Sequence, residues 1–101
     1  MNKTLKLISI CDGVEKYDLH IGEYTLTNYS HLSSQGKVTI EDAEKHFKYL
    51  YENYKNQTFE EFKEWINIDF NKYPESIETV KGIFLERSNN IKTYEKLYVL
   101  N

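Results

Sequence analysis

The sequence predicts an α+β domain: a small antiparallel β-sheet packed against an α-helical hairpin and a third helix. Three observations carry this reading. Apolar and polar residues alternate up to Leu32, the strand period. Apolar residues after Thr39 recur at three and four positions, the helix period. The two styles meet at one soft stretch, SSQGK (33–37). A chain of 101 residues fits one domain. Within 1–101, residues 1–32 read as a β-meander and 39–70 as an acidic helical hairpin. Residues 74–101 read as a helix followed by a C-terminal strand that rejoins the sheet.

The first strand, TLKLISIC, stops at Asp12-Gly13. Both residues tolerate a left-handed backbone, so this pair is a strong two-residue hairpin signal. In VEKYDLHI, Tyr17, Leu19 and Ile21 alternate with Lys16, Asp18 and His20, which places one set inward and the other outward. Gly22-Glu23 turns the chain again, and YTLTNYSHL supplies a third strand rich in β-branched and aromatic residues.

Thr39 caps the first helix, with Asp42 three residues on. Its stripe is Ile40, Ala43, Phe47, Leu50, Tyr51 and Tyr54, which sets the helix at 40–55. Asn56-Gln57 ends it. Thr58 with Glu61 opens a second helix whose stripe is Phe59, Phe62, Ile66 and Phe70, extended by Tyr73. The short connection predicts that the two pack antiparallel on each other. Pro74 suits the first turn of a third helix over 74–88, with Ile77, Val80 and Phe84 at helical spacing. Gly82 leaves a strand over TVKGIFLER as the alternative. YEKLYVL reads as the returning strand. Three large residues are not used by the stripes: Tyr49 lies opposite Ile40, Trp65 sits at a stripe edge, and Ile68 points away from its stripe.

The net charge of −3 is unevenly spread. Residues 39–70 carry four lysines against eight acids, whereas both flanking segments are close to balance. The chain is rich in Lys, Asn, Ile and Tyr, with Ala43, Pro74 and Arg87 each single. AT-rich codons explain that bias, as in a low-GC bacterium or its phages and plasmids.

Several activities fit poorly. Proteins that grip nucleic acid cluster Lys and Arg to neutralise phosphates, and here the balance is negative with one arginine. No apolar run approaches the ~18 residues of a membrane span, and the N-terminal apolar patch reads as a strand, not a signal peptide. The expected location is the cytoplasm of a bacterium or of a phage's host. No cysteine pair, metal-binding helix motif or phosphate loop is present, so no cofactor or metal is expected. His20 and His31 can approach from neighbouring strands but lack a third ligand, and read as surface histidines. Asp42 and His46 share a helix face as a carboxylate and imidazole can in general-base catalysis. Their simpler roles are a cap and a solvated side chain. Cys11 has no local base to activate it and reads as a half-buried strand residue.

Protein recognition remains. Nine tyrosines is high for this length, and tyrosine offers interfaces a large area with little entropy to lose. The expected function is a non-catalytic module that docks an acidic, tyrosine-rich face on a basic partner surface, such as that of a nucleic-acid-acting enzyme. The face consists of Glu41, Glu44, Tyr49, Glu52, Glu60, Glu64, Trp65 and Ile68. In size, charge and composition the chain is similar to phage inhibitors of host defence, anti-CRISPR proteins among them, and to immunity proteins that neutralise toxic nucleases. A structural homodimer burying the spare aromatics, and an enzyme with a scattered Cys11, His20, His31 or His46 site, are the alternatives.

Overall fold

The computed structural model describes residues 1–100. Three strands, β1 (Lys3–Cys11), β2 (Val14–Ile21) and β3 (Tyr24–Leu32), form an antiparallel sheet in the order β1-β2-β3. A 3-10 turn at Ser33–Gln35 leads to α1 (Ile40–Tyr54), α2 (Phe59–Ile66) and α3 (Ser76–Tyr94). A π-helical turn, Glu95–Val99, ends the described chain. The α+β class expected from the sequence is therefore the observed one.

The turns form where the sequence places them. Asp12 and Gly13 are both left-handed, at φ 50° and 77°, and close the first hairpin between Cys11 and Val14. Gly22 (φ 59°) opens the second, and a Cβ there would stand 3.0 Å from the Met1 sulfur. Two irregularities re-aim the strands. β1 carries an extra residue between Leu7 and Ser9 opposite β2. β3 carries one between Leu26 and Tyr29, where Asn28 adopts φ 60°. That bulge lets Leu26 and Tyr29, three positions apart, both face the helices.

Both capping boxes close. The Thr39 hydroxyl accepts from the Asp42 N–H (3.1 Å), and Asp42 accepts from the Thr39 N–H. Thr58 and Glu61 repeat the exchange at α2. α1 then lays Ala43 and Phe47 on Leu19, Ile21, Leu26 and Tyr29, and Tyr94 of α3 completes this core.

Three expectations need correction. No C-terminal strand forms among the described residues: α3 runs on to Tyr94, and the π turn brings Leu97 and Tyr98 onto the core. Helical spacing brings Tyr94, Leu97 and Tyr98 to the core and leaves Val99, which a strand would have buried, 48% exposed. The outer edge of β3, moreover, is covered at Thr27. The Asn90 side chain accepts from the Thr27 N–H (2.9 Å) and donates to the Thr27 carbonyl (3.0 Å), as a neighbouring strand would. The third helix consequently spans 76–94, not 74–88, and Pro74 lies in the turn before it.

The second correction concerns the helical hairpin. α2 does not pack down the length of α1; its Phe59 and Phe62 rings both lie 5.4 Å from Phe84 of α3. Third, α2 ends at Ile66, where Asn67 turns left-handed (φ 59°). Phe70 and Tyr73 therefore fall outside the helix.

Arg87 holds this second cluster together. Its guanidinium carbon lies 4.3 Å from the Tyr54 ring centre, 4.8 Å from Phe62 and 5.6 Å from Phe84. It donates to Gln57, while its Nε has no partner among the described residues. Burial lowers the Arg87 pKa from its ordinary value, with Tyr54 acting in the opposite direction.

The result is a flat molecule of 45 × 36 × 20 Å with a radius of gyration of 15.0 Å. A compact chain of this length gives about 13 Å. Its accessible surface is 7,038 Å², whereas a typical folded monomer of its 12.1 kDa exposes about 6,000 Å².

Candidate functional site

Six of the eight residues expected to dock a partner are exposed, and Glu44 and Ile68 are half-buried. Tyr49 is 53% exposed and Trp65 67%, so the fold leaves both to solvent. Trp65 stacks on Phe62 at 6.2 Å, and Tyr49 meets Tyr54 edge-on at 6.0 Å. Glu41, Glu52, Glu60 and Glu64 are exposed as well. Glu44 is different. It turns inward, accepting from the Lys3 ammonium at 2.8 Å and from the Tyr98 hydroxyl. Burial disfavours its charge, yet those hydrogen bonds and the Lys3 charge hold its pKa below the ordinary carboxylate value. The same contact, together with burial, raises Tyr98 well above the usual phenol range. Glu44 thus ties β1, α1 and the C-terminal turn together. Ile68 is half-buried, beyond the end of α2.

The acidity is also diluted on α1. Helical spacing puts Glu41 and Glu52 on the same outer surface as Lys45, Lys48 and Lys55, all exposed. Glu41 pairs with Lys45 at 3.4 Å. On α2, Glu60 pairs with Lys63 at 3.1 Å, and Glu64 stands beside Trp65. α2 packs on α3, and where it adjoins the end of α1, Glu52 and Glu61 line one small recess.

A recess of about 480 Å³ is lined by Tyr29, His31, Gln35, Asp42, Lys45, His46 and Tyr49. Sequence reasoning did not assemble it. His31 is 4% exposed, not a surface residue. A carbonyl can only accept, so the His31 Nε2–H donates to the Gly36 oxygen (2.9 Å). Its Nδ1 then accepts from the Tyr29 hydroxyl (3.3 Å). Burial and the Asp42 charge raise the Tyr29 pKa. His46 is half-buried, its ring 5.3 Å from Tyr29 and 5.2 Å from Phe47. Burial lowers its pKa, which favours the neutral imidazole. Asp42 directs its hydrogen bonds to Thr39 in the cap, away from an orienting role. The spacing of Tyr29 and His31 (i, i+2) and of Asp42 and His46 (i, i+4) was the signal available; the Asn28 bulge that turns the first pair inward was not.

The remaining candidates lie apart. His20 bonds Thr25 through its Nδ1 (3.2 Å), and the strand register puts it on the opposite sheet face from His31. Cys11 is exposed on β1, not half-buried. Among the described residues, no group of three His, Cys, Asp or Glu is placed to hold a metal ion, and no helix is long and apolar enough to cross a membrane. Comparison with protein-family models, curated proteins and solved structures found no match to this chain.

Proposed function

We propose that this chain is a non-catalytic protein-binding module, an inhibitor that works in the bacterial cytoplasm by covering a basic surface of a nucleic-acid-acting enzyme. One observation carries the reading: the chain exposes on the order of 1,000 Å² more than a monomer of its mass requires. A standard interface takes about 800 Å² from each partner. Within that surface, Trp65 is a large side chain the interior does not use, and tryptophan is a common interface anchor. Glu60 and Glu64 are exposed on the same short helix and favour a basic partner. Tyr49, at the rim of the recess, is a second contact. Phage or mobile-element inhibitors of host defence, and immunity proteins for toxic nucleases, are the partners' natural antagonists with this profile.

The test is retention of a host protein on tagged wild-type chain and on the Trp65→Ala and Glu60→Gln/Glu64→Gln variants. Truncating an anchor of this kind costs about 2 kcal/mol or more, so Trp65→Ala should weaken retention at least tenfold. Raising the salt should release the partner from the wild type and matter less for the Gln variant. A partner held equally by the wild type and both variants would remove this face from the account.

Convergence of His31, His46, Tyr29 and Lys45 favours a second reading, a small-ligand or reaction site in the recess. Loss of a measured turnover on His46→Gln, with the fold intact, would support it.

A further inference from the structure

The recess beside α1 holds several polar groups that the fold leaves unused. His46 packs its ring on Tyr29 and Phe47, and neither ring nitrogen is hydrogen-bonded among the described residues. Neither nitrogen is sealed from water. Asp42 gives Oδ2 to the Thr39 N–H, and its Oδ1 has no partner among the described residues. Tyr29 donates its hydroxyl proton to His31, so its oxygen keeps a lone pair with which to accept. Gln35 adds an amide oxygen to the lining, and the rings of Tyr29, His46 and Tyr49 supply aromatic surface. Lys45, the cation on the lining, does not neutralise Asp42. Its ammonium stands 3.4 Å from Glu41, with the side chain 72% exposed. Tyr29 senses the Asp42 charge, which after burial is the second cause of its raised pKa.

We infer that the recess receives the guanidinium of an arginine on the partner's basic surface, laid against Tyr49 and bonded to Asp42 Oδ1 and His46. This occupant rests on the basic-partner reading above and names the side chain that the recess takes from that partner. Charge selects it. An anion would meet the Asp42 carboxylate, and an uncharged group would leave that carboxylate unpaired. Aromatic faces attract a cation, and free acceptors bind its N–H groups. Arginine fits better than lysine, because its planar fork stacks on rings and presents several donors at once, whereas an ammonium is a point charge. The neutral imidazole that burial favours at His46 accepts such a donor; an imidazolium would repel it. At about 480 Å³ the recess admits one long side chain, within the ~300–1,000 Å³ common for binding pockets.

The test is an NMR titration of the isotope-labelled full chain with capped arginine, N-acetyl-arginine methylamide. Saturable shifts should map to Gln35, His46 and Tyr49 and leave the indole of Trp65, the chain's sole tryptophan, unmoved. Capped citrulline, nearly isosteric but uncharged, should not saturate. Asp42→Asn keeps an oxygen for the Thr39 N–H and should weaken binding about tenfold. Tyr49→Ala should weaken it about two- to fivefold. Lys45→Gln should tighten it by removing a like charge. Shifts that never saturate, equal binding of citrulline, or binding unchanged by all three variants overturns the proposal. So does free arginine binding more tightly than the capped form, because the ligand is then a free amino acid. If Asp42→Asn unfolds, the Tyr49 and Lys45 variants still decide the matter. Trp65→Ala should leave the titration unchanged, which separates this site from the Trp65 face. A failed titration, with a host protein still lost on Trp65→Ala, strikes the arginine site alone. A successful titration with no host protein retained strikes the inhibitory reading and, with it, the partner's arginine.

Discussion

Between sheet and helices, Leu19, Leu26 and Ala43 expose nothing and Phe47 exposes 1% of its surface. Around Arg87, Phe62 is buried but Tyr54, Phe59 and Phe84 keep part of each ring in solvent. The first region is assembled by removing apolar area from water, from elements far apart in sequence. The second is held by aromatic edges and a cation stacked on three rings, on helices that are neighbours in the chain. Area burial is worth about 25 cal/mol per Å², whereas a partly exposed cation–π contact gives about 0.5–1 kcal/mol. The difference teaches where stability resides: the sheet-side core sets it, and the α2 lobe is the part able to open first.

The sharpest way to break that comparison is truncation in each region. Phe47→Ala should cost about 3–5 kcal/mol in urea unfolding. Phe84→Ala, leaving a half-exposed site that solvent can fill, should cost clearly less. Equal losses would mean that the two clusters form one cooperative core. Asn90→Ala comes next. It strands the Thr27 N–H and carbonyl, and unpaired buried groups cost about 1–3 kcal/mol. Amide exchange at Thr27 should quicken more than at Leu19, and uniform acceleration would show global loosening instead. The smallest effect concerns pH. His46 has its folded pKa lowered by burial, so the unfolded chain binds its proton more readily. Its contribution is complete above the unfolded value of about 6.5 and is lost as pH falls through the depressed folded value. His46→Gln should flatten that part of the stability profile; an unchanged slope would assign it to another group.

Local chemistry in the sequence was enough for the parts that depend on a few adjacent residues. Asp12-Gly13, the pairs Thr39/Asp42 and Thr58/Glu61, and the stripe Ile40 to Tyr54 each specify their own geometry. The parts that failed depend on distant partners. YEKLYVL has strand propensity, and its fate was decided by Tyr94, Leu97 and Tyr98 reaching the core as a helix. The second helix stopped four residues early because Asn67 accepts a left-handed backbone, which its stripe did not reveal. Tyr49 and Trp65 were legible as spare residues because helix geometry alone excludes them from the stripes. Glu44 was not legible as internal, since Lys3 and Tyr98 are 41 and 54 residues away. The same holds for the recess: nothing adjacent to His31 announces that Gly36 and Tyr29 will occupy both its nitrogens.

The Asn90 amide reaches Thr27 across 63 positions of chain. A ribosome therefore releases the whole meander well before its latch. During that interval both rims of the nascent sheet stand unguarded, and crowded polysomes bring sister chains within reach. Slowing translation between the two segments should raise the insoluble fraction, and early capture by a chaperone should lower it.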